Sequence, residues 1–288
     1  MGLLLLGPIV WGVLNLVRFK GITAANRVAN YATIINSAVL YALAFNIIYF
    51  LQELFLVLGK KALGLKALLY HNDHIWIGEH LKMLLMQGLG ALAIFLIGLI
   101  SLFAYKYISD SKGTWKLLLL WMAFQGLVQS IPQVMIAALD PETDVGEALV
   151  GYLKLDQTLL TLFGVVCAIA LGLICIYFSR LFLGFGADTV DYGNPRAKLK
   201  YIRFIAVGAA LIGSILVVPF KIPPMRHTIA PFMVFIFSIP WVWTSAGLDV
   251  TVRPVLNGID KKVYRLPIVF LILLLLFFQL ILAKGVEF

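Results

Sequence analysis

From Tyr31 to Gly59 the chain is apolar for longer than the roughly 20 residues that a helix needs to cross a bilayer, yet Asn36, Asn46, Gln52 and Glu53 lie within it. A carboxylate in such a helix costs about 2.5–3.5 kcal/mol on insertion scales, so Glu53 must face protein, a polar cavity or the membrane boundary. At 3.6 residues per turn, Asn46, Tyr49, Glu53 and Lys60 return to one stripe, which gives the helix a buried polar side. Further apolar segments follow at 83–105, 116–139, 157–183, 202–219, 229–247 and 267–283, and a shorter one precedes at 1–17. The sequence thus predicts an all-α, polytopic bundle of about eight spans, a single transmembrane domain over 1–288. Composition agrees: 62% of residues are hydrophobic and 13% charged, against about 25% charged in a typical soluble domain.

The net charge of +9 does not point to nucleic acid, because Lys and Arg lie mainly in connections between apolar segments. The odd connections, Arg18–Arg27, Lys106–Lys116, Arg180–Arg203 and Arg253–Arg265, hold fifteen of them and the other side eight. The positive-inside rule then puts the odd connections in the cytoplasm and both termini outside, in a plasma or inner membrane. Membrane lipids, and other membrane proteins or a second copy, are the expected partners. Met1–Val17 is read as a short or tilted span of the mature chain, since no basic residue precedes its apolar run. The segment 229–247 contains Pro231 and Pro240 and is flanked by Pro219, Pro223, Pro224 and Pro254, which predicts a kinked or broken helix.

Four clusters have chemical potential. His71-Asn72-Asp73-His74-Ile75-Trp76-Ile77-Gly78-Glu79-His80 gathers three of the four histidines. His71, His74 and His80 match no closed zinc spacing, and Asn72-Asp73 reads as the turn of a short interfacial hairpin with water-facing polar tips and Trp76 as an anchor. Gln125, Gln129 and Gln133 form a slowly winding stripe, bonding neighbouring helices or lining a water-filled path opposite Asn46, Tyr49 and Glu53. The loop Asp140–Asp156 holds five acidic residues without the glycine and glutamate of a calcium loop, so it reads as solvated. Gly164, Ala168 and Gly172 make a small-residue stripe, read as close helix packing beside Cys167 and Cys175, which lie too far apart on one helix to bond each other. For Glu53 the plain reading is an interfacial carboxylate, hydrogen-bonded across helices or paired with Lys60 or Lys61.

In Gln52-Glu53-Leu54-Phe55-Leu56, with Gly59 following, a glutamate stands where zinc peptidases carry His-Glu-x-x-His, but both imidazoles are absent. Together with Leu69-Tyr70-His71-Asn72, Leu84-Leu85-Met86-Gln87-Gly88-Leu89, Leu118-Leu119-Leu120-Trp121, Pro132 and Asp140 to Glu147, this order resembles the site-2-protease type of integral membrane metallopeptidases over residues 45–185. The resemblance implies that Gln52 and Leu56 occupy the two histidine-ligand positions, Glu53 the general-base position, and Asp144, or else Asp140, that of the third ligand. It therefore implies a protease-like fold without its zinc site, in which Gln52, Glu53 and Asp144 are vestigial. The expected role is a non-catalytic subunit or scaffold of a membrane complex, with no cofactor. The alternatives are a metallopeptidase that recruits His71, His74 or His80, and a small-solute or ion transporter built on Glu53 and the glutamine stripe.

Overall fold

The computed structural model describes residues 2–24, 31–186, 189–221, 230–249, 251–255, 259 and 261–288. Among them run helices α1 (Gly2–Arg18), α2 (Tyr31–Ala62), α3 (Met83–Tyr107), α4 (Gly113–Ala137), α5 (Gln157–Leu183), α6 (Pro195–Phe220), α7 (Ala230–Ser245) and α8 (Arg265–Leu280). Helix α6 loosens to π geometry at Arg203–Gly208, and a one-turn helix at Asp144–Gly146 continues as π helix Glu147–Tyr152 between α4 and α5. Six of these helices, α2 to α6 and α8, are long and apolar enough to cross a membrane. By that measure, six of the eight expected spans are present among the described residues.

The other two expected spans, α1 and α7, are shorter and run side by side. Asn15 Nδ2 donates to the Thr244 carbonyl at 2.7 Å, and Trp241 Nε1 donates to the Leu4 carbonyl at 3.0 Å. Of the kinked or broken helix expected over 229–247, the described part shows no break: α7 continues through Pro240. Pro240 lacks the N–H that would bond the Ile236 carbonyl, and one turn on its own carbonyl accepts from Thr244 Oγ1 at 2.9 Å. Pro223 and Pro224, like Arg27 and Arg226 of the charge pattern, lie outside the described residues.

The all-α expectation also needs a correction. Strands β1 (Lys66–Leu69) and β2 (His74–Ile77) form an antiparallel hairpin with Leu69 opposite His74, and β3 (Val286–Glu287) pairs with the other edge of β1. The hairpin was expected to hold its tips in water. Instead His71 and Asn72 are buried: His71 Nε2 meets the Phe220 carbonyl at 2.8 Å and its ring stacks on Phe278 at 5.3 Å. The turn thereby joins the ends of α6 and α8.

These contacts sort the helix ends onto two faces. One face carries the ends of α2, α4, α6 and α8, the hairpin and the start of α3. On the other, Asn36 near the start of α2 donates to the carbonyls of Ile259 and Lys262 and accepts from the Tyr264 amide, while Lys198 at the start of α6 donates to the Leu248 carbonyl. The core between the faces is aromatic, with Trp121 wedged against Tyr41, Phe124 and Phe182 at ring distances of 5.0, 5.6 and 4.5 Å. Its Nε1 donates to Ser37 Oγ at 3.0 Å, so the ring's polar edge is satisfied inside the bundle.

The close packing expected of Gly164 and Gly172 lies elsewhere. A Cβ on Gly172 would meet nothing within 4 Å, and one on Gly164 would make only ordinary contact with Met135, because α5 presents most of its surface outward. The tight approach is between α3 and α4, where a Cβ on Gly126 would fall 2.6 Å from the Ile94 carbonyl oxygen and 2.7 Å from Gly98 Cα. Gly126→Ala should accordingly destabilise the protein by about 1–3 kcal/mol through overpacking, while Gly172→Ala should leave it within about 0.5 kcal/mol. Denaturant unfolding of both variants in the same detergent checks this.

Candidate functional site: a buried polar junction at the end of helix α2

Helix α2 carries Gln52 and Glu53 on its C-terminal third, both buried. Strand β2 alternates, with His74 and Trp76 toward the protein and Ile75 and Ile77 exposed. That alternation brings the His74 imidazole onto Glu53, Nδ1 to Oε2 at 2.8 Å. The other ring nitrogen, Nε2, meets Gln87 Oε1 at 3.2 Å from the second turn of α3. With the Glu53 carboxylate and the Gln87 amide oxygen both facing the ring, each nitrogen can donate, and this pairing favours the imidazolium form of His74. The expected pairing of Glu53 with Lys60 or Lys61 is thus replaced by a histidine brought in from the hairpin.

Lys60 has a different task. Its ammonium donates to the Met83 carbonyl at 2.5 Å and sits 4.1 Å from the centroid of the Trp76 ring, which in turn stacks on His74 at 5.7 Å. The cation binds the first turn of α3 and the hairpin to α2. Trp76, expected as a membrane-interface anchor, is part of this stack.

A ladder of amides enters from α4. Gln129 Nε2 donates to Gln125 Oε1 at 2.9 Å, and Gln133 Nε2 donates to the Gln129 carbonyl at 3.0 Å and to Gln52 Oε1 at 2.9 Å. Gln52 adjoins Glu53 in sequence, so the stripe on α4 joins the carboxylate's helix directly. Asn46 Nδ2 turns back to the Ala42 carbonyl at 2.8 Å, and among the described residues Asn46 Oδ1 and Gln125 Nε2 are buried without a hydrogen-bond partner. The close fit of α2 and α3 follows from Gly90, where a Cβ would come within 2.8 Å of Leu56 and 2.9 Å of Gln52.

Asp144 reaches the junction electrostatically. Burial, reinforced by the charges of Glu53 and Glu147 and opposed by those of His74 and Lys60, pushes its pKa up to about 6. For His74, burial works against the charged form, but the hydrogen bond and charge of Glu53, with Asp144 and Gln87 adding to them, outweigh it, and the pKa is raised. His71 and His80 take no part: His71 is held by Phe220, and exposed His80 accepts the Lys82 amide at 3.1 Å. Asp140 lies at the helix stop after α4, where its carboxylate accepts the Glu142 amide.

The donors do not fit a zinc site. At the two positions that the sequence resemblance assigned to histidine ligands, Gln52 accepts from Gln133 and Leu56 has no donor atom, while His74 has both nitrogens engaged. Among the described residues no three His, Cys, Asp or Glu side chains are grouped to hold a metal ion. His74 is the member that sequence reasoning did not connect to Glu53, reading it within a hairpin with water-facing tips; the available signal was the His-Ile-Trp-Ile alternation. No protein family, no curated protein and no solved structure matches this chain.

Both shifted groups bind protons more tightly in the folded protein than in the unfolded chain. Asp144 therefore withdraws stability as pH rises from about 4 to 6, and the His74 contribution, complete below about pH 6.5, is lost as pH rises through its raised value. The melting temperature in detergent should fall between pH 5 and pH 9. Glu53→Gln, by leaving His74 buried without its counter-charge, should cost about 3 kcal/mol and flatten the upper part of that slope.

Proposed function

We propose that this chain is a non-catalytic multi-pass membrane protein, an integral subunit or scaffold of a membrane complex, in which the polar junction serves as an internal brace. The observation that carries this reading is the double engagement of His74 between Glu53 and Gln87. A general base must be free to take a proton from a substrate or its water, whereas Glu53 already accepts from an imidazolium that belongs to the chain. In the site-2-protease-like reading, His74 supplies the positive charge that a metal would otherwise bring near Glu53 and Asp144. The convergence of these three groups, from segments far apart in sequence, supports that frame.

The finer topology belongs to the same reading: eight spans, with α1 and α7 crossing as a packed pair, and the more basic face toward the cytoplasm of a plasma or inner membrane. The two-faced sorting of the helix ends supports it.

One observation favours a second reading, a transporter of a small polar solute or ion. The amide ladder ends at Gln125, whose Nε2 is buried with no hydrogen-bond partner among the described residues, as is Asn46 Oδ1 on α2, and a hydrogen-bonding guest would satisfy such atoms. The two readings give different outcomes. As a subunit, the chain purified in mild detergent should carry less than about 0.1 zinc per chain and run as a homo-oligomer or with a reproducible partner. A solitary chain would overturn the subunit reading, and stoichiometric zinc with a proteolytic activity lost in Glu53→Gln would replace it with an enzyme. Solute flux into vesicles that falls in Gln129→Leu would establish the transporter instead.

A further inference from the structure

On the face opposite the polar junction, the ends of α3 and α5, the start of α4 and the segment Thr251–Val255 enclose a cleft of about 330 Å³. Four cationic side chains line it, Lys106, Lys116, Arg180 and Arg253, with Asp110 as the one acid. Lys116 and Asp110 form a close ion pair, and the Lys116 ammonium also donates to the Ile108 carbonyl at 3.3 Å and lies 4.9 Å from the Tyr105 ring centroid. This pair is a neutral, largely buried wall. Lys106, Arg180 and Arg253 are exposed, and among the described residues none of them makes an ion pair. Among the described residues, three cations thus converge on one concavity with no acidic partner of their own.

The position of Arg253 is built in. The Val255 amide donates to the Gly184 carbonyl at 2.8 Å, and a Cβ on Gly184 would lie 2.7 Å from the Arg253 carbonyl oxygen, so only glycine lets this segment rest on the end of α5. Lipid access is equally specific. On α5, Ile169, Leu173 and Tyr177 follow one another every fourth residue, are 55%, 62% and 39% exposed, and lead to Arg180 at the mouth of the cleft. The stripe offers an apolar track ending in guanidinium groups, which is the shape of a phospholipid with its acyl chains along the helix and its phosphate in the cleft.

We propose that this cleft binds the phosphate of an anionic lipid headgroup, with Arg180, Arg253 and Lys106 as the charged contacts and Tyr177 at the border between headgroup and chains. Basic pockets between membrane helices on the cytoplasmic side recognise anionic headgroups on these terms, and arginine forks match phosphate oxygens. The same chemistry would admit free phosphate, but the exposed track on α5 favours the lipid.

The test is native mass spectrometry of the full chain released from detergent, with phosphatidylglycerol, phosphatidylcholine and inorganic phosphate as separate probes. Phosphatidylglycerol should bind about tenfold or more tightly than phosphatidylcholine, and each cation removed should cost about fivefold. The double variant Arg180→Gln, Arg253→Gln should therefore lose the preference, while Lys82→Gln on the opposite face should keep it. Should the double variant fail to fold, Lys106→Gln alone should still show the fivefold loss. Equal binding of the two lipids, a preference unchanged in the cleft variants, or phosphate binding without a phosphatidylglycerol preference would each overturn the proposal.

Discussion

A charge withdrawn from water inside a bundle of apolar helices is tolerable only beside its opposite, because the solvation it loses exceeds what isolated burial can return. Glu53 sets that condition for this molecule, and the His74 imidazolium at 2.8 Å meets it. Much of the surrounding architecture serves the meeting. Helix α2 must extend far enough to present Glu53 at its C-terminal third, the chain must reverse in a tight hairpin, and β2 must turn its polar side inward. Gln87 then closes the second ring nitrogen, so α3 must begin within reach of the same imidazole. The small sheet in an otherwise helical protein is explained by this demand: β1 and β3 hold β2 in register against α2.

The junction also shows how buried polar groups organise helices. Gln133 and Gln52 tie α4 to α2, Lys60 ties α2 to the start of α3, and His71 carries the hairpin turn to the ends of α6 and α8. With little hydrophobic drive between helices in lipid, such bonds and close glycine contacts set which helices are neighbours. Gly98 and Gly126 do for α3 and α4 by contact what the amides do for α2 and α4 by hydrogen bonding. The two ends of the bundle differ in character as a result. One concentrates buried polar groups, and the other leaves cations exposed around a cleft.

Much of the fold was legible because the bilayer imposes length and hydropathy on every span, and local composition records both. The long helices appear where the apolar runs are, and the hairpin turn falls at Asn72-Asp73. What was misread depended on partners distant in sequence. For Glu53 the only partners that could be named were Lys60 and Lys61 on its own helix, beside an unnamed hydrogen bond across helices, since helical periodicity sees only neighbours one or two turns away. The histidine that pairs with it lies across a chain reversal. Gly164 and Gly172 have the spacing of a packing stripe, but spacing cannot tell which face a neighbour will cover, and α5 turns most of its surface outward. The glutamine stripe was visible as a stripe, and its bond to Gln52 was not.

By itself, then, the sequence determined that this is a helical chain with spans suited to a membrane, that its cations gather on alternate connections, and that one helix carries an acid needing protection. Each of these follows from composition within a window of a few turns. Only the tertiary structure decided what protects the acid, which glycines bring backbones together, and where exposed cations converge. Those outcomes depend on how helix ends far apart in the chain are packed beside one another, and the position of an imidazole relative to a carboxylate is a property of that packing.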